Sequence, residues 1–123
     1  MREQVNSKGA PKKGDPDLAL PGKTIDGRLQ ADHIVPMDKI TRMDGFEKLT
    51  EADQLKVLNY KDNFIGLSET ANKSKGSKSF AEWTYYKKEG LEVSPEFRSK
   101  MMETEKVLEG KLQSYIDELL KAQ

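Results

Sequence analysis

The sequence predicts a small α+β domain, in which two short strands and a helix form one unit that further helices embrace, the last of them long. Three observations predict it. Two short β-compatible stretches, one running from Leu29 to Ile34-Val35 and closed by Pro36, the other over residues 63–67, are each bounded by turn or breaker residues. Ser68 follows the second stretch with Glu69 behind it, an N-cap with an acid in the first turn. Finally, Ser94-Pro95-Glu96 supplies a cap, a proline at the first helical position and an acid, and opens an apolar stripe of Phe97, Met101, Leu108, Leu112, Ile116 and Leu119.

In chain order, residues 1–22 hold Gly9, Pro11, Gly14, Pro16, Pro21 and Gly22 among charged and small residues, so no regular element of any length is expected. They read as a flexible N-terminal arm or a draped loop, and the domain proper as 23–123. Thr24-Ile25-Asp26-Gly27-Arg28-Leu29 carries an Asp-Gly pair between β-compatible pieces, a hairpin signal. Asp38 is placed to cap a short turn through Ile40 and Met43 that Gly45 ends. Thr50, with Asp53 three residues on, opens a helix carrying Leu55, Val57 and Leu58. The helix begun by Ser68 carries Asn72 and Lys73 and stops at Gly76. Ser79 is expected to cap another helix with Phe80, Trp83 and Tyr86 on its apolar face, ending at Gly90. The last helix spans roughly 28 residues, about 42 Å, with Gly110 as its one weak position.

Composition narrows the functions. The chain has 123 residues with 21 basic and 21 acidic side chains, so it cannot coat nucleic acid by bulk electrostatics. Any such contact must come from local charge, and residues 71–100 carry a basic surplus led by Lys73, Lys75 and Lys78. By itself such a run reads as a solvated helix end. The absence of cysteine excludes disulfides, thiolate metal sites and cysteine nucleophiles. No apolar run approaches the length of a membrane span, and the first residues lack the apolar region of a signal peptide.

The single histidine, His33, follows Asp32 and precedes Ile34-Val35-Pro36. A lone histidine is ordinarily a surface or satisfied core residue. Neighbouring side chains on a strand point to opposite faces, however, so this pair can send a carboxylate and an imidazole to different tasks. A carboxylate suits a hard divalent cation, and an imidazole suits proton abstraction near neutral pH. Asn59, Asn63 and Asn72 lie downstream. Asn59 reads as turn chemistry, whereas Asn72 within a helix has no such explanation.

Asp32-His33-Ile34-Val35-Pro36, then Val57 to Leu67 with Asn63 opening the second strand, then Asn72-Lys73-Ser74-Lys75-Gly76 resemble the HNH endonucleases of the ββα-metal class. The resemblance covers roughly residues 24–80, with 80–123 left as a helical brace. It implies that His33 is the general base that activates water, and that Asp32 and Asn72 hold one divalent metal ion. It further implies that Asn63 hydrogen-bonds the loop bearing the histidine, and that Lys73, Lys75 and Lys78 lie along the nucleic-acid path. The final position is Asn rather than His, which favours Mg²⁺, with Mn²⁺ or another transition metal as alternatives. The paired Cys-x-x-Cys motifs of many members are absent, so the flanking helices must stabilise the unit. Trp83 and the tyrosines fit a core role better than base stacking.

The activity so implied is metal-dependent hydrolysis of DNA phosphodiesters with little sequence preference, since no recognition helix is evident. A nuclease unit behind a Gly/Pro-rich arm also resembles the C-terminal toxin domain of a larger secreted bacterial effector, acting in a target cell's cytoplasm. A cognate immunity protein would then be its partner. The alternatives are a non-catalytic nucleic-acid-binding or protein-interaction module that keeps the ββα fold, and a ribonuclease.

Overall fold

The structure, a computed structural model, describes residues 2–7 and 9–123. The elements in order are α1 (Arg2–Val5), β1 (Gln30–His33), α2 (Met37–Thr41), α3 (Glu51–Leu58), β2 (Phe64–Leu67), α4 (Glu69–Lys75), β3 (Tyr85–Tyr86), β4 (Leu91–Glu92) and α5 (Pro95–Ala122). The fold is α+β, with two small antiparallel sheets and a long C-terminal helix.

β1 pairs with β2 in antiparallel register, Asp32 opposite Ile65 and His33 opposite Phe64. α4 follows β2 directly because Ser68 stops the strand and caps the helix, its hydroxyl accepting the Ala71 N–H at 3.0 Å. Between the two strands, Thr50 caps α3 through the Asp53 N–H. α2 begins two residues earlier than the cap reading of Asp38 requires. Pro36 occupies its N-cap, and Asp38 instead pairs with Arg42 one turn on.

α5 runs for 28 residues behind the Ser94 cap and is not broken at Gly110. It buries Met101, Glu105, Leu108, Leu112 and Ile116 on one stripe. Fully burying side chains such as Leu112 and Ile116 contributes about 2 kcal/mol each. These join Ile34, Val35, Ile40, Phe46, Val57, Leu67, Phe80 and Trp83 in a single core. The brace therefore packs along most of its length. At its far end the turn at Gly45, at φ +84°, brings the backbone so close to Leu120 that a Cβ would stand 2.6 Å from that side chain.

Three expectations are corrected. Residues 16–25 are no free arm. Asp17 Oδ1 accepts the Ala19 and Leu20 N–H groups, its Oδ2 accepts the Ser68 hydroxyl at 2.6 Å, and Ala19 and Leu20 are buried. Only the draped-loop reading survives there. The Asp26-Gly27 hairpin does not form, because the Ile25 N–H and C=O are already bonded to Asp15 and Gly14, and Thr24 bridges Pro16. Residues 79–90 are not a helix either. Ser79 and Glu82 close a turn through reciprocal side-chain bonds, and Arg98 donates to the Phe80 and Ala81 carbonyls. The chain then forms the β3–β4 hairpin. Phe80 and Trp83 are buried as expected, but by this loop. Among the described residues, no helix is long and apolar enough to cross a membrane.

Candidate functional site

β1 delivers Asp32 and His33 to its end, and the chain then turns at Pro36 into α2. The turn is held by Asn63. Its Oδ1 accepts the Val35 N–H at 2.8 Å and its Nδ2 donates to the Val35 C=O at 3.0 Å, while the Asn63 carbonyl accepts the Ile34 N–H at 2.9 Å. Asn63 and Val35 are both completely buried. An amide is the side chain that can satisfy a backbone donor and acceptor together, which explains why an asparagine stands in the core here. The bonds run to Ile34 and Val35, the two residues after His33.

His33 Nε2 lies 2.8 Å from the carbonyl of Leu58, the last residue of α3. A carbonyl can only accept, so this contact places a proton on Nε2, and in the neutral ring the lone pair is then on Nδ1. The ring also packs against Phe64, its opposite number on β2, at a centroid distance of 4.4 Å. Orientation and tautomer are thus set by two neighbours, neither of which is an acid.

Asp32 points to α4. Its Oδ2 touches Lys75 Nζ at 2.7 Å. The oxygen is sealed from solvent, and Lys75 is its one close polar partner among the described residues. Burial pushes the Asp32 carboxyl above its ordinary range; the Lys75 ammonium and, more weakly, His33 oppose that shift. The Lys75 amine also lies 3.4 Å from the His33 carbonyl and 4.7 Å from the centre of the Phe80 ring.

Asp32, His33 and Lys75 line one cleft of about 360 Å³ together with Pro36, Met37, Asp38, Gly76 and Ser77. A smaller hollow between the N-terminal segment and β2, about 230 Å³ around Leu29 and Ile65, contains no candidate chemistry beyond the satisfied Asp17. The cleft at the end of β1 is therefore the candidate site.

The basic residues divide. Lys75 is 1% exposed and tied to Asp32, so its reading as an open phosphate contact is corrected: the amine is already committed to an internal carboxylate. Helical phase accounts for this, since Lys75 lies four residues after buried Ala71 on the same face of α4. Lys73 points outward and pairs with Glu69 at 2.9 Å, and Lys78 is exposed beyond the helix. Asn72 is half-buried one turn before Lys75 and is not part of the cleft lining. Met37, Asp38 and Ser77 line the cleft without having been picked out for it. Their only sequence signal is position, two of them just after Pro36 and one just after Gly76. Asp38 had a competing explanation as a helix cap.

Of the two side chains expected to hold a metal ion, Asp32 lines the cleft and Asn72 does not. The buried Asp32 oxygen is ion-paired with Lys75, and Asn72 lies on the adjoining helix α4. No group of three or more His, Asp or Glu side chains assembles into a cation cage among the described residues. Mg²⁺, which keeps several waters, fits such a sparse site better than Zn²⁺ does. No protein-family model, curated protein or solved structure matches the chain.

Proposed function

We propose that this protein is a divalent-metal-dependent endonuclease that hydrolyses phosphodiester bonds, with DNA as the substrate. The observation that carries the reading is the Asn63 clamp on Val35, which holds the turn after an Asp-His pair at a strand end, beside the helix that follows the partner strand. The clamp serves the fold by satisfying Val35, and it also gives the cleft a fixed turn beside an oriented histidine. Phosphodiester hydrolysis calls for both, because water must be deprotonated and aimed in line.

In this reading His33 Nδ1 takes the proton from the attacking water, while the Nε2–H to Leu58 contact keeps the ring from turning. Asn63 holds the backbone after His33 and so fixes the base relative to the cleft. Asp32 and Asn72 would hold the cation, and when bound it supplies positive charge to the phosphate oxygens. Lys78, exposed at the α4 end of the cleft, would meet the substrate backbone, with Lys73 available once it leaves Glu69. A toxin domain of a secreted effector, checked by a cognate immunity protein, is the biological setting that fits a compact enzyme of this type.

The test is nicking of a supercoiled plasmid by the purified chain in Mg²⁺ or Mn²⁺ against EDTA, with His33→Ala alongside. Nicking that requires the metal and disappears in the variant supports the reading. Equal nicking by both proteins excludes His33 as the base. No cleavage of plasmid, single-stranded DNA or RNA by the wild type refutes the enzyme reading in favour of a binding module.

A further inference from the structure

Lys75 is among the largest fully buried side chains in the protein, and its position is not that of a surface charge. A lysine at this depth gives up its hydration and needs an anion in exchange. It finds the Asp32 carboxylate at 2.7 Å, the His33 carbonyl at 3.4 Å and the face of Phe80 at 4.7 Å. An anionic oxygen, a carbonyl oxygen and a π face are what a cation meets at a binding site.

We infer that Lys75 is the resident counter-ion of Asp32, its ammonium covering the carboxylate that a divalent cation must take, so that metal binds by exchange with Lys75 rather than by filling an open site. The inference rests on the nuclease reading above. Three observations support it. A divalent cation bound to the Asp32 carboxylate would face a like charge at close range in a poorly screened interior, so the two do not share the site. The contact to be broken is a single ion pair, with no further polar partner on that oxygen among the described residues.

The amine also has somewhere to go. Lys75 is the last residue of α4, Gly76 turns the chain at once at φ +57°, and both line the cleft. A second carboxylate, Glu105, is buried beside the same aromatic residue and accepts the Phe80 N–H at 2.7 Å. Its ionisation responds to the Lys75 charge as well as to Lys39. Glu105 therefore keeps a displaced ammonium in negative surroundings.

The consequence is a tax on affinity. If Asp32 is uncovered only a tenth of the time, the apparent dissociation constant rises about tenfold. Calorimetric titration of the full chain with MnCl₂ measures it. Lys75→Met, which keeps the length and apolar packing of the stem, should bind at least about tenfold tighter than wild type, and Asp32→Asn should not bind. Glu105→Gln should weaken wild-type binding, because the ammonium loses its second anion; an unchanged affinity would remove Glu105 from the scheme. Binding by wild type with equal or weaker binding by Lys75→Met would overturn the exchange and leave the nuclease reading standing. Absence of binding by both proteins would overturn the two together.

The wild type gives a second readout should the variant not fold. The Lys75 Nζ resonance, sheltered in EDTA, should shift or vanish in Mg²⁺. A resonance unchanged at Mg²⁺ levels that support nicking would refute the exchange.

Discussion

Replacing Asn63 with alanine removes the side chain that satisfies Val35. The Val35 N–H and C=O bond Asn63 at 2.8 and 3.0 Å, and both residues are sealed from solvent. Each orphaned buried backbone group costs about 1–3 kcal/mol, so Asn63→Ala should lose about 2–6 kcal/mol. The low end applies where water enters the space the amide leaves. Domains of this size have about 5–15 kcal/mol to lose, and at about 3 °C or more per kcal/mol the melting midpoint should fall by at least about 6 °C. Urea unfolding followed by circular dichroism measures the loss directly. Asn63→Asp sharpens the test: one oxygen still accepts the Val35 N–H, but the other faces the Val35 carbonyl without a proton. The folded state then favours the protonated acid, raising its pKa above the unfolded value of about 3.9. The variant's relative stability should therefore be fullest below that value and decline as pH rises through the folded pKa. A loss under about 1 kcal/mol in Asn63→Ala, or an Asn63→Asp variant as stable as wild type at pH 7, would refute the clamp.

The brace offers a matched pair. Gly110→Ala, in open space on α5, should stabilise by about 0.5–1 kcal/mol, whereas Gly45→Ala, at positive φ and against Leu120, should destabilise by about 1–3 kcal/mol; thermal melts of the two should move in opposite directions. Desolvation pushes the Glu105 carboxyl up, so the folded state binds its proton more readily than the unfolded chain, and stability is lost as pH rises through that elevated value. Glu105→Gln keeps an acceptor for the Phe80 N–H and should flatten this decline in denaturation curves taken from mildly acidic to neutral pH. Lys78→Ala should reduce the salt slope of DNA binding by about 0.9 if one phosphate contact is lost, measured by fluorescence anisotropy at several salt concentrations with a catalytically inert background.

The elements legible in the sequence are those set by contacts within a few residues. Thr50, Ser68 and Ser94 each cap the helix they were expected to cap, and α5 follows its apolar stripe to the end. Long-range competition decided the others. Ile25 is drawn into pairing with residues 14–15, a partner no local pattern announces, so the Asp26-Gly27 turn signal goes unused. Phe80, Trp83 and Tyr86 share a helical spacing, yet Arg98 on α5 takes the Phe80 and Ala81 carbonyls and the chain leaves as a hairpin. At the candidate site, the placement of Asp32 and His33 at a strand end was legible because Pro36 closes the strand just after them. Lys75 was grouped with Lys73 and Lys78 by charge when helical phase, counted from Ala71, separates it from them. Glu105 carried a similar signal, a charged residue on the apolar stripe four residues after Met101.

Trp83 is the protein's sole tryptophan. It is buried, its indole N–H donates to the Ser74 hydroxyl at 2.9 Å, and its ring lies 6.2 Å from that of Phe80. Ser74 precedes Lys75 in the chain, and Phe80 carries the Lys75 amine on its face. The molecule thus has a fluorophore wired by one hydrogen bond and one ring contact to the residues that surround the Asp32 carboxylate. Indole emission depends on the polarity and hydrogen bonding around the ring, so occupancy of the cleft can be followed in unlabelled protein by emission colour. Loss of the fold would register in the same channel as a much larger red shift. A single optical titration can therefore separate a cation that enters the cleft from one that merely unfolds the chain.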